Sequence, residues 1–205
     1  FFSARCLYTI FASPRLLVVD FHGNKLSFRF IVLHAPTSEH AEERIAFFSK
    51  AATFTACSYP YILLGDFNGR LNIVGSTPAA AHTTRAVVDA ANHFRKFLDD
   101  TSSVTSYEDA RFTTACSGTW YSSRGDSYHT TDYIGTHSDY SDTIVDSFVL
   151  RQFDNGHSLV DHLPIVARFE FSKCVPSFSA SSRAAPRTTS TSCVTHHVSP
   201  NLPAS

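Results

Sequence analysis

The chain has 205 residues, a formal net charge of -1 and a hydrophobic content of 43%. This length and composition are typical of a single globular domain with a hydrophobic core. The balanced charge excludes nucleic-acid binding through a bulk basic field and leaves only a local patch for it. No segment reaches the roughly 18 apolar residues of a membrane-spanning helix, so we expect a soluble protein that does not bind membranes.

Five cysteines are spread through the sequence without paired spacing. They are Cys6, Cys57, Cys116, Cys174 and Cys193. An odd number at these spacings fits neither a disulfide framework nor a zinc site. We therefore expect free thiols and a reducing, intracellular compartment, nuclear or cytoplasmic. We also expect the protein to be a monomer.

Three short apolar runs open the chain and predict three β-strands. Residues 7–11 and 16–20 are separated by Ser13 and Pro14, which favour a turn. The third run, residues 26–35, starts with alternating polarity and then becomes continuously apolar, as in a strand that enters the interior of a sheet. This run ends near a polar residue, His34.

Two helices are predicted in the first half of the chain. The first covers roughly residues 39–57, with Ser38 as its N-cap and Glu42 in its first turn. A loop rich in Gly, Ser, Thr, Pro and Ala follows over residues 69–84. The second helix, residues 85–98, has apolar residues near helical spacing.

The most informative segment is the apolar run at residues 61–64, between Pro60 and Gly65, because two polar side chains follow it at once. These are Asp66 and Asn68. The run predicts a buried central strand. If the strand continues, alternation places both polar side chains on the same face, and the sheet holds them in place.

The second half of the chain contains further short β candidates, at residues 112–114, 118–121, 131–134, 143–151 and 163–171. Asp161 and His162 stand directly before the last of these. From residue 172 the composition changes to Ser, Thr, Ala and Pro, with too little apolar content to form a core. We therefore predict a folded domain at 1–171 and a disordered tail at 172–205.

Three motifs in this order resemble the endonuclease/exonuclease/phosphatase superfamily. They are Leu64-Gly65-Asp66-Phe67-Asn68, then Thr119-Trp120 with Thr131-Asp132-Tyr133-Ile134, then Asp161-His162-Leu163-Pro164-Ile165. Within that superfamily, the segment from His34 and the Thr-Trp to Asp-Tyr-Ile segment are most similar to endonuclease domains of non-LTR retrotransposons and their craniofacial-development-protein-like relatives. The resemblance covers roughly residues 7–171.

The resemblance implies an α/β fold, a four-layer α/β sandwich of two mixed β-sheets flanked by helices. It also implies metal-dependent phosphodiester cleavage with Mg²⁺ or Mn²⁺ and a DNA substrate. Hard divalent cations prefer carboxylate oxygens and water, which suits the acidic residues of these motifs better than cysteine ligands. The cation neutralises charge on the phosphoryl oxygens, and a base deprotonates the attacking water.

Individual roles follow from the same resemblance. Asp66 matches the aspartate that handles the water nucleophile, and Asn68 matches the asparagine that orients this water or holds the phosphate. His162 matches the catalytic histidine, Asp132 its hydrogen-bonding aspartate, and Asp161 the acidic neighbour of the metal. His34 stands where many members carry a phosphate-contacting tyrosine.

Two further residues are predicted to contact the substrate. Arg124, in the polar loop 122–127, is available to a phosphate, and Trp120 is placed to stack or wedge against a nucleic-acid strand.

The chain departs from the family pattern at its start. The family's first strands, with an asparagine and a metal-binding glutamate, have no counterpart, because no glutamate precedes Glu39 and the next ones lie in the predicted helix. Val160 also replaces the usual serine before Asp-His. We therefore expect this chain to correspond to the C-terminal two-thirds of such a domain, without the N-terminal strands, and to be inactive by itself.

Two other functions stay open at this stage. The same fold serves phosphatases that act on inositol lipids or small phosphoesters, because fold does not determine substrate. The chain is alternatively a catalytically dead remnant. At the level of single residues, Asp66 and Asn68 also fit an ordinary turn, and His162 an ordinary packed histidine.

Overall fold

The computed structural model describes residues 6–24, 26–37, 39–74, 83–123, 126–153 and 161–171. The predicted disordered tail lies outside these residues, as do Ser38 and Arg124. Neither described helix has the length and apolar character needed to cross a bilayer. The three cysteines within the described residues, Cys6, Cys57 and Cys116, are free thiols, as expected.

The described elements are ten strands and two α-helices, with short 3₁₀ turns between them. In chain order they are β1 (Leu7–Ala12), β2 (Leu16–His22), β3 (Ser27–His34), α1 (Ala41–Ala52), β4 (Tyr61–Asp66), α2 (Arg85–Asp100), β5 (Ser103–Thr105), β6 (Trp120–Ser122), β7 (Ser127–His129), β8 (Asp132–His137), β9 (Ile144–Val149) and β10 (Ile165–Phe169).

A six-stranded mixed sheet dominates the fold, in the order β1-β2-β3-β4-β8-β5. Only the β3–β4 pair is parallel, and α1 forms the crossover between these two strands. The predicted α/β class is confirmed. The predicted second mixed sheet is not present among the described residues, where the remaining strands form two separate antiparallel pairs, β6-β7 and β9-β10.

Strand β1 is one edge of this sheet, and its side chains are largely exposed. Leu7, Tyr8 and Ile10 are 50%, 52% and 47% exposed. The sheet therefore presents apolar side chains at this edge, where an unpaired strand is prone to pair with other chains.

Helix α1 ends at Ala52, five residues before the predicted end. The hydroxyl of Thr53 donates to the Lys50 carbonyl, and that of Thr55 donates to the Ala52 carbonyl. These side chains take carbonyls that another helical turn would use, so the chain leaves the helix. Helix α2 runs two residues past its predicted end.

The strand predicted at 112–114 is wrong, because this segment forms consecutive turns. The amides of Phe112 and Thr113 both donate to the Asp109 carbonyl, and the Thr113 hydroxyl donates to the carbonyls of Tyr107 and Asp109. Short polar side chains thus satisfy the backbone locally. Strand β5 escaped prediction, since its three residues include a single apolar one, Val104.

The hydrophobic core packs directly beneath the carboxyl end of β4. Phe67 is fully buried and stacks on Phe94 of α2, with ring centroids 4.4 Å apart, and Tyr133 of β8 packs edge-on against Phe67 at 5.9 Å. Aromatic pairs in such arrangements stabilise a core beyond the area that they bury. The segment that follows β4 is therefore anchored in the core through Phe67.

Gly65 is required by the backbone that precedes Asp66. Its φ is +136°, and a Cβ atom there would lie 1.9 Å from the carbonyl oxygen of Leu33. Gly65→Ala is expected to lower the free energy of unfolding by about 3 kcal/mol or more, because strain and a backbone clash add. Urea denaturation measures this change. Ser102→Gly, at a non-glycine residue with φ +50°, serves as the control and should be close to neutral. Equal stability of Gly65→Ala and the parent would refute the argument.

Candidate active site

Two parallel strands bring polar side chains to the same edge of the central sheet. In the register of β3 and β4, His34 pairs with Asp66, and both residues end their strands. The Ala35 amide donates to the Asp66 carbonyl at 2.8 Å, which continues the pairing by one step. The prediction that β3 ends on His34 and β4 on a carboxylate is confirmed.

Asn68 reaches the same place by a turn and not by strand alternation. Its φ is +48°, a left-handed conformation that asparagine tolerates better than most residues. The Asn68 amide donates to Oδ1 of Asp66 at 2.8 Å, and its side-chain Nδ2 donates to the Ala35 carbonyl at 2.7 Å. The prediction that strand alternation places Asp66 and Asn68 on the same face is therefore wrong, although both side chains line one cleft.

Asp132 opens β8, the antiparallel neighbour of β4, and its register partner is Asp66. Two carboxylates thus face each other across neighbouring strands. Burial raises the pKa of Asp66, and the charge of Asp132 raises it further, whereas the Asn68 amide and the nearby imidazoles of His162 and His34 lower it.

His162 is joined to Asp132 through a side-chain hydrogen bond. Its Nδ1 lies 3.0 Å from Oδ2 of Asp132, and this bond raises the pKa of His162 against the opposing effect of burial. The charges of Asp66 and Asp161 raise it as well. The backbone of His162 bridges that of Trp120, which fixes the loop before β10 beside β6. The predicted Asp132–His162 pair is therefore present in the structure.

Thr119, which stands directly before β6, connects the two segments that carry Asp132 and His162. Its buried hydroxyl oxygen accepts hydrogen bonds from the amides of Thr131 and Asp132, both at 3.1 Å. Its carbonyl accepts from the Leu163 amide at 2.7 Å. One threonine thus holds the start of β8 and the residue after His162, while Trp120 continues into β6.

Thr119→Val is expected to lower the free energy of unfolding by about 2 kcal/mol, because it leaves one buried and one partly buried amide without an acceptor while keeping the side-chain shape. Thr119→Ser keeps the oxygen and should cost about 1 kcal/mol, as expected for loss of one buried methyl. Urea denaturation of both variants measures the difference. Should valine be tolerated as well as serine, the oxygen would have no role in holding the site.

These residues surround an open cleft of about 410 Å³. The residues that line it are His34, Thr37, Asp66, Asn68, Arg70, Val87, Trp120, Thr131 and His162. Five of the predicted site residues are therefore on its surface, and Asp132 contacts one of them. Asp161 is exposed and adjacent to His162, whereas the position of Arg124 lies outside the described residues.

Three lining residues with polar groups, Thr37, Arg70 and Thr131, were not among the predicted site residues. Thr37 is held by Arg44, a fully buried side chain whose Nη1 donates to the Thr37 carbonyl at 2.6 Å. Arg70 follows the Asp66 motif closely, and a basic side chain at that spacing was the available signal. The guanidinium lies over the Trp120 ring, with Cζ 5.9 Å from the ring centroid.

The donor set fits a hard divalent cation. Asp66, Asp132 and His162 each offer one ligand atom, and these three atoms lie within 4.8 Å of one another. The two carboxylates are the oxygen donors that Mg²⁺ or Mn²⁺ prefers, with water completing the shell. The hydrogen bond to Asp132 raises the pKa of His162, so protonation competes with metal binding at this histidine. The predicted metal residue, Asp161, is not a member of this group.

The chain matches no protein-family model and no curated protein sequence. Solved structures do match. An AP endonuclease from Leishmania major superposes with a TM-score of 0.59 at 15% identity, over 76% of this chain and 54% of the other. The chain has the endonuclease/exonuclease/phosphatase fold. An AP endonuclease from Archaeoglobus fulgidus (TM-score 0.58, 17% identity, 76% of this chain and 65% of the other) shows the same likeness.

A third structure with this fold is a 3′ phosphatase from Neisseria bound to a product DNA hairpin, with a TM-score of 0.57 and 18% identity over 77% of this chain and 66% of the other. The chain thus spans between about half and two-thirds of the length of these proteins. Identities this low establish the endonuclease/exonuclease/phosphatase fold, and the activity has to be argued from the site.

Proposed function

We propose that this protein is a metal-dependent phosphodiester hydrolase that cleaves DNA, of the endonuclease type found in non-LTR retrotransposons. The observation that carries the proposal is the group of Asp66, Asp132 and His162, in which two carboxylates and a hydrogen-bonded histidine lie within 4.8 Å of one another. The fold supports it, since one similar structure is bound to a DNA hairpin. The retrotransposon type rests on the sequence motifs.

In the proposed reaction, Asp66 accepts a proton from the attacking water as the new O–P bond forms. Protonated His162, oriented by Asp132, donates a hydrogen bond to a phosphoryl oxygen while the bond to the leaving oxygen breaks and that oxygen takes a proton from solvent. Asp66 and Asp132 would hold a divalent cation, which would neutralise charge at the phosphate.

The test is nicking of supercoiled plasmid by the purified chain, with Mg²⁺, with Mn²⁺ and with chelator, beside His162→Ala. Nicking that needs the metal and His162 is the expected result of a complete site. Mn²⁺ and DNA binding are measured in parallel, so that a loss of binding is separated from a loss of turnover. A folded chain that neither nicks DNA nor binds Mn²⁺ in the cleft overturns the proposal.

Small phosphoesters are assayed side by side with DNA, because phosphatases that act on such compounds use the same fold. Inositol phosphates and a simple phosphomonoester are the competing substrates. Faster hydrolysis of these compounds than of DNA would favour the phosphatase. A folded chain that binds metal but turns over none of these substrates would contradict the hydrolase proposal and favour the catalytically dead remnant.

A further inference from the structure

Arg70 is held in the cleft by a rigid backbone. The preceding Gly69 packs so closely on α2 that an added Cβ would lie 2.8 Å from Cβ of Phe94. The amide of the following Leu71 donates to the hydroxyl of Tyr133 at 3.1 Å, and Tyr133 is itself buried in the core. Because both neighbours are anchored, the position of the Arg70 backbone is determined by the core and not by the loop.

The guanidinium of Arg70 lacks the carboxylate partner that most arginines in the described part of the chain have. Among the described residues, five other arginines lie 2.6 to 3.8 Å from a carboxylate, namely Arg15, Arg29, Arg85, Arg95 and Arg111. Within the same part of the chain, Arg70 has neither a carboxylate nor a hydrogen-bond acceptor at its guanidinium, and its contact is the face of Trp120. A half-buried cation on an aromatic face has donors left for an anion.

Trp120 also places this cation beside the catalytic group. The centroid of its ring is 6.5 Å from that of His162, and 5.9 Å from Cζ of Arg70. Arg70 and His162 are therefore neighbours of the same indole, on one cleft. Burial lowers the pKa of Arg70, which is the cost that a bound anion would offset.

We propose that Arg70, stacked on Trp120, binds the backbone phosphate next to the scissile one, and so selects polynucleotides over compounds with a single phosphate. This inference rests on the proposed function for the identity of the scissile phosphate. A planar guanidinium suits this role, because it donates to two phosphate oxygens at once while its face stays on the ring.

The experiment measures binding without catalysis, by fluorescence anisotropy of a labelled 12-base-pair DNA duplex in chelator, over a series of salt concentrations. Arg70→Gln is expected to weaken binding about 10-fold and to reduce the slope of log K against log salt by about 0.9, the value for one lost phosphate contact. Arg70→Lys keeps the charge but not the stacking plane, so it should retain the slope and recover part of the affinity.

Arg168→Gln is the matched control. It removes the same charge from an exposed position on β10 that does not line the cleft, so affinity and salt slope should stay unchanged. A dinucleoside monophosphate, which has no flanking phosphate, should bind the parent and Arg70→Gln equally well. Equal affinity of Arg70→Gln and the parent for the duplex overturns the proposal. If Arg70→Gln lost as much affinity for the dinucleoside monophosphate as for the duplex, the proposal would also be overturned, because Arg70 would then contact the scissile phosphate.

These outcomes are separate from those that decide the proposed function. The binding measurements contain no metal and no turnover. A chain that binds the duplex through Arg70 but never nicks DNA keeps the phosphate site and loses the catalytic proposal. A chain that nicks DNA equally well with and without Arg70, and binds it equally, keeps the catalytic proposal and loses the phosphate site.

Discussion

Replacing Asp66 with asparagine is expected to weaken Mn²⁺ binding in the cleft by about 100-fold or more, and to reduce any DNA nicking at least as strongly, because loss of a direct ligand exceeds the usual cost of losing a supporting contact. Asparagine keeps the oxygen that accepts the Asn68 amide at 2.8 Å, so the local turn should survive. Only the charge is removed. Calorimetric titration with Mn²⁺ gives the affinity, and plasmid nicking gives the rate.

The same substitution should stabilise the protein when no metal is present. Because the pKa of Asp66 is raised in the folded state, the folded protein holds this proton more tightly than the unfolded chain does. The stability that this proton adds is fully present below the pKa of Asp66 in the unfolded chain and is lost as the pH rises through its pKa in the folded protein. At neutral pH the ionised carboxylate therefore destabilises the folded state. We therefore expect Asp66→Asn to melt at a higher temperature than the parent in chelator at pH 7.

Added metal should reverse this order of melting temperatures. Mn²⁺ should raise the melting temperature of the parent, because it binds the folded state alone, and should leave Asp66→Asn nearly unchanged. Asp139→Asn makes the same chemical change at a side chain that is 80% exposed, and it should behave like the parent throughout. If Asp66→Asn retained the parent's Mn²⁺ affinity, the ion would not use this carboxylate and the assigned centre would be wrong.

The sequence predicted the fold well where apolar periodicity is strong. Strand β4 begins as a continuous apolar run, and β3 changes from alternating polarity to such a run; both strands lie at the centre of the sheet. It failed where polar side chains decide the backbone, as at the end of α1, where Thr53 bonds back to Lys50, and around Asp109, where turns replace the predicted strand. Such local hydrogen bonds compete with regular structure without leaving a periodic signal.

The sequence predicts those residues of the candidate site that belong to a recognisable motif. Asp66, Asp132 and His162 belong to ordered motifs, and the structure places them together. Arg70 was not found, because its role depends on the Trp120 ring, 50 positions later in the chain, and this juxtaposition arises only from the pairing of β4 with β8 and of Trp120 with His162. Contacts of that kind are tertiary and have no counterpart in local sequence.

The second large effect is expected at the Asp132–His162 pair, where a double-mutant cycle separates two roles of Asp132. His162→Ala and Asp132→Asn should each reduce the nicking rate by about 10² to 10³-fold, as for loss of a preorganised hydrogen-bond donor. If Asp132 acted only through His162, across their 3.0 Å hydrogen bond, the double variant would be no slower than His162→Ala. Because Asp132 also holds the cation in the proposed reaction, we expect the double variant to be slower than His162→Ala, and equal rates would exclude Asp132 as a metal ligand.

A measurement without turnover tests the same coupling. In chelator, NMR titration should show a lower pKa for His162 in Asp132→Asn than in the parent, because the hydrogen bond that His162 donates to Asp132 is the main cause of its raised pKa. A histidine with a raised folded pKa adds stability that is complete below its unfolded pKa, near 6.5, and is lost as pH rises through the folded pKa. Asp132→Asn should therefore destabilise the protein more at pH 6 than at pH 8. An unchanged pKa for His162 would show that the hydrogen bond to Asp132 does not control its charge, and the proposed role of protonated His162 as hydrogen-bond donor to the phosphate would lose its support.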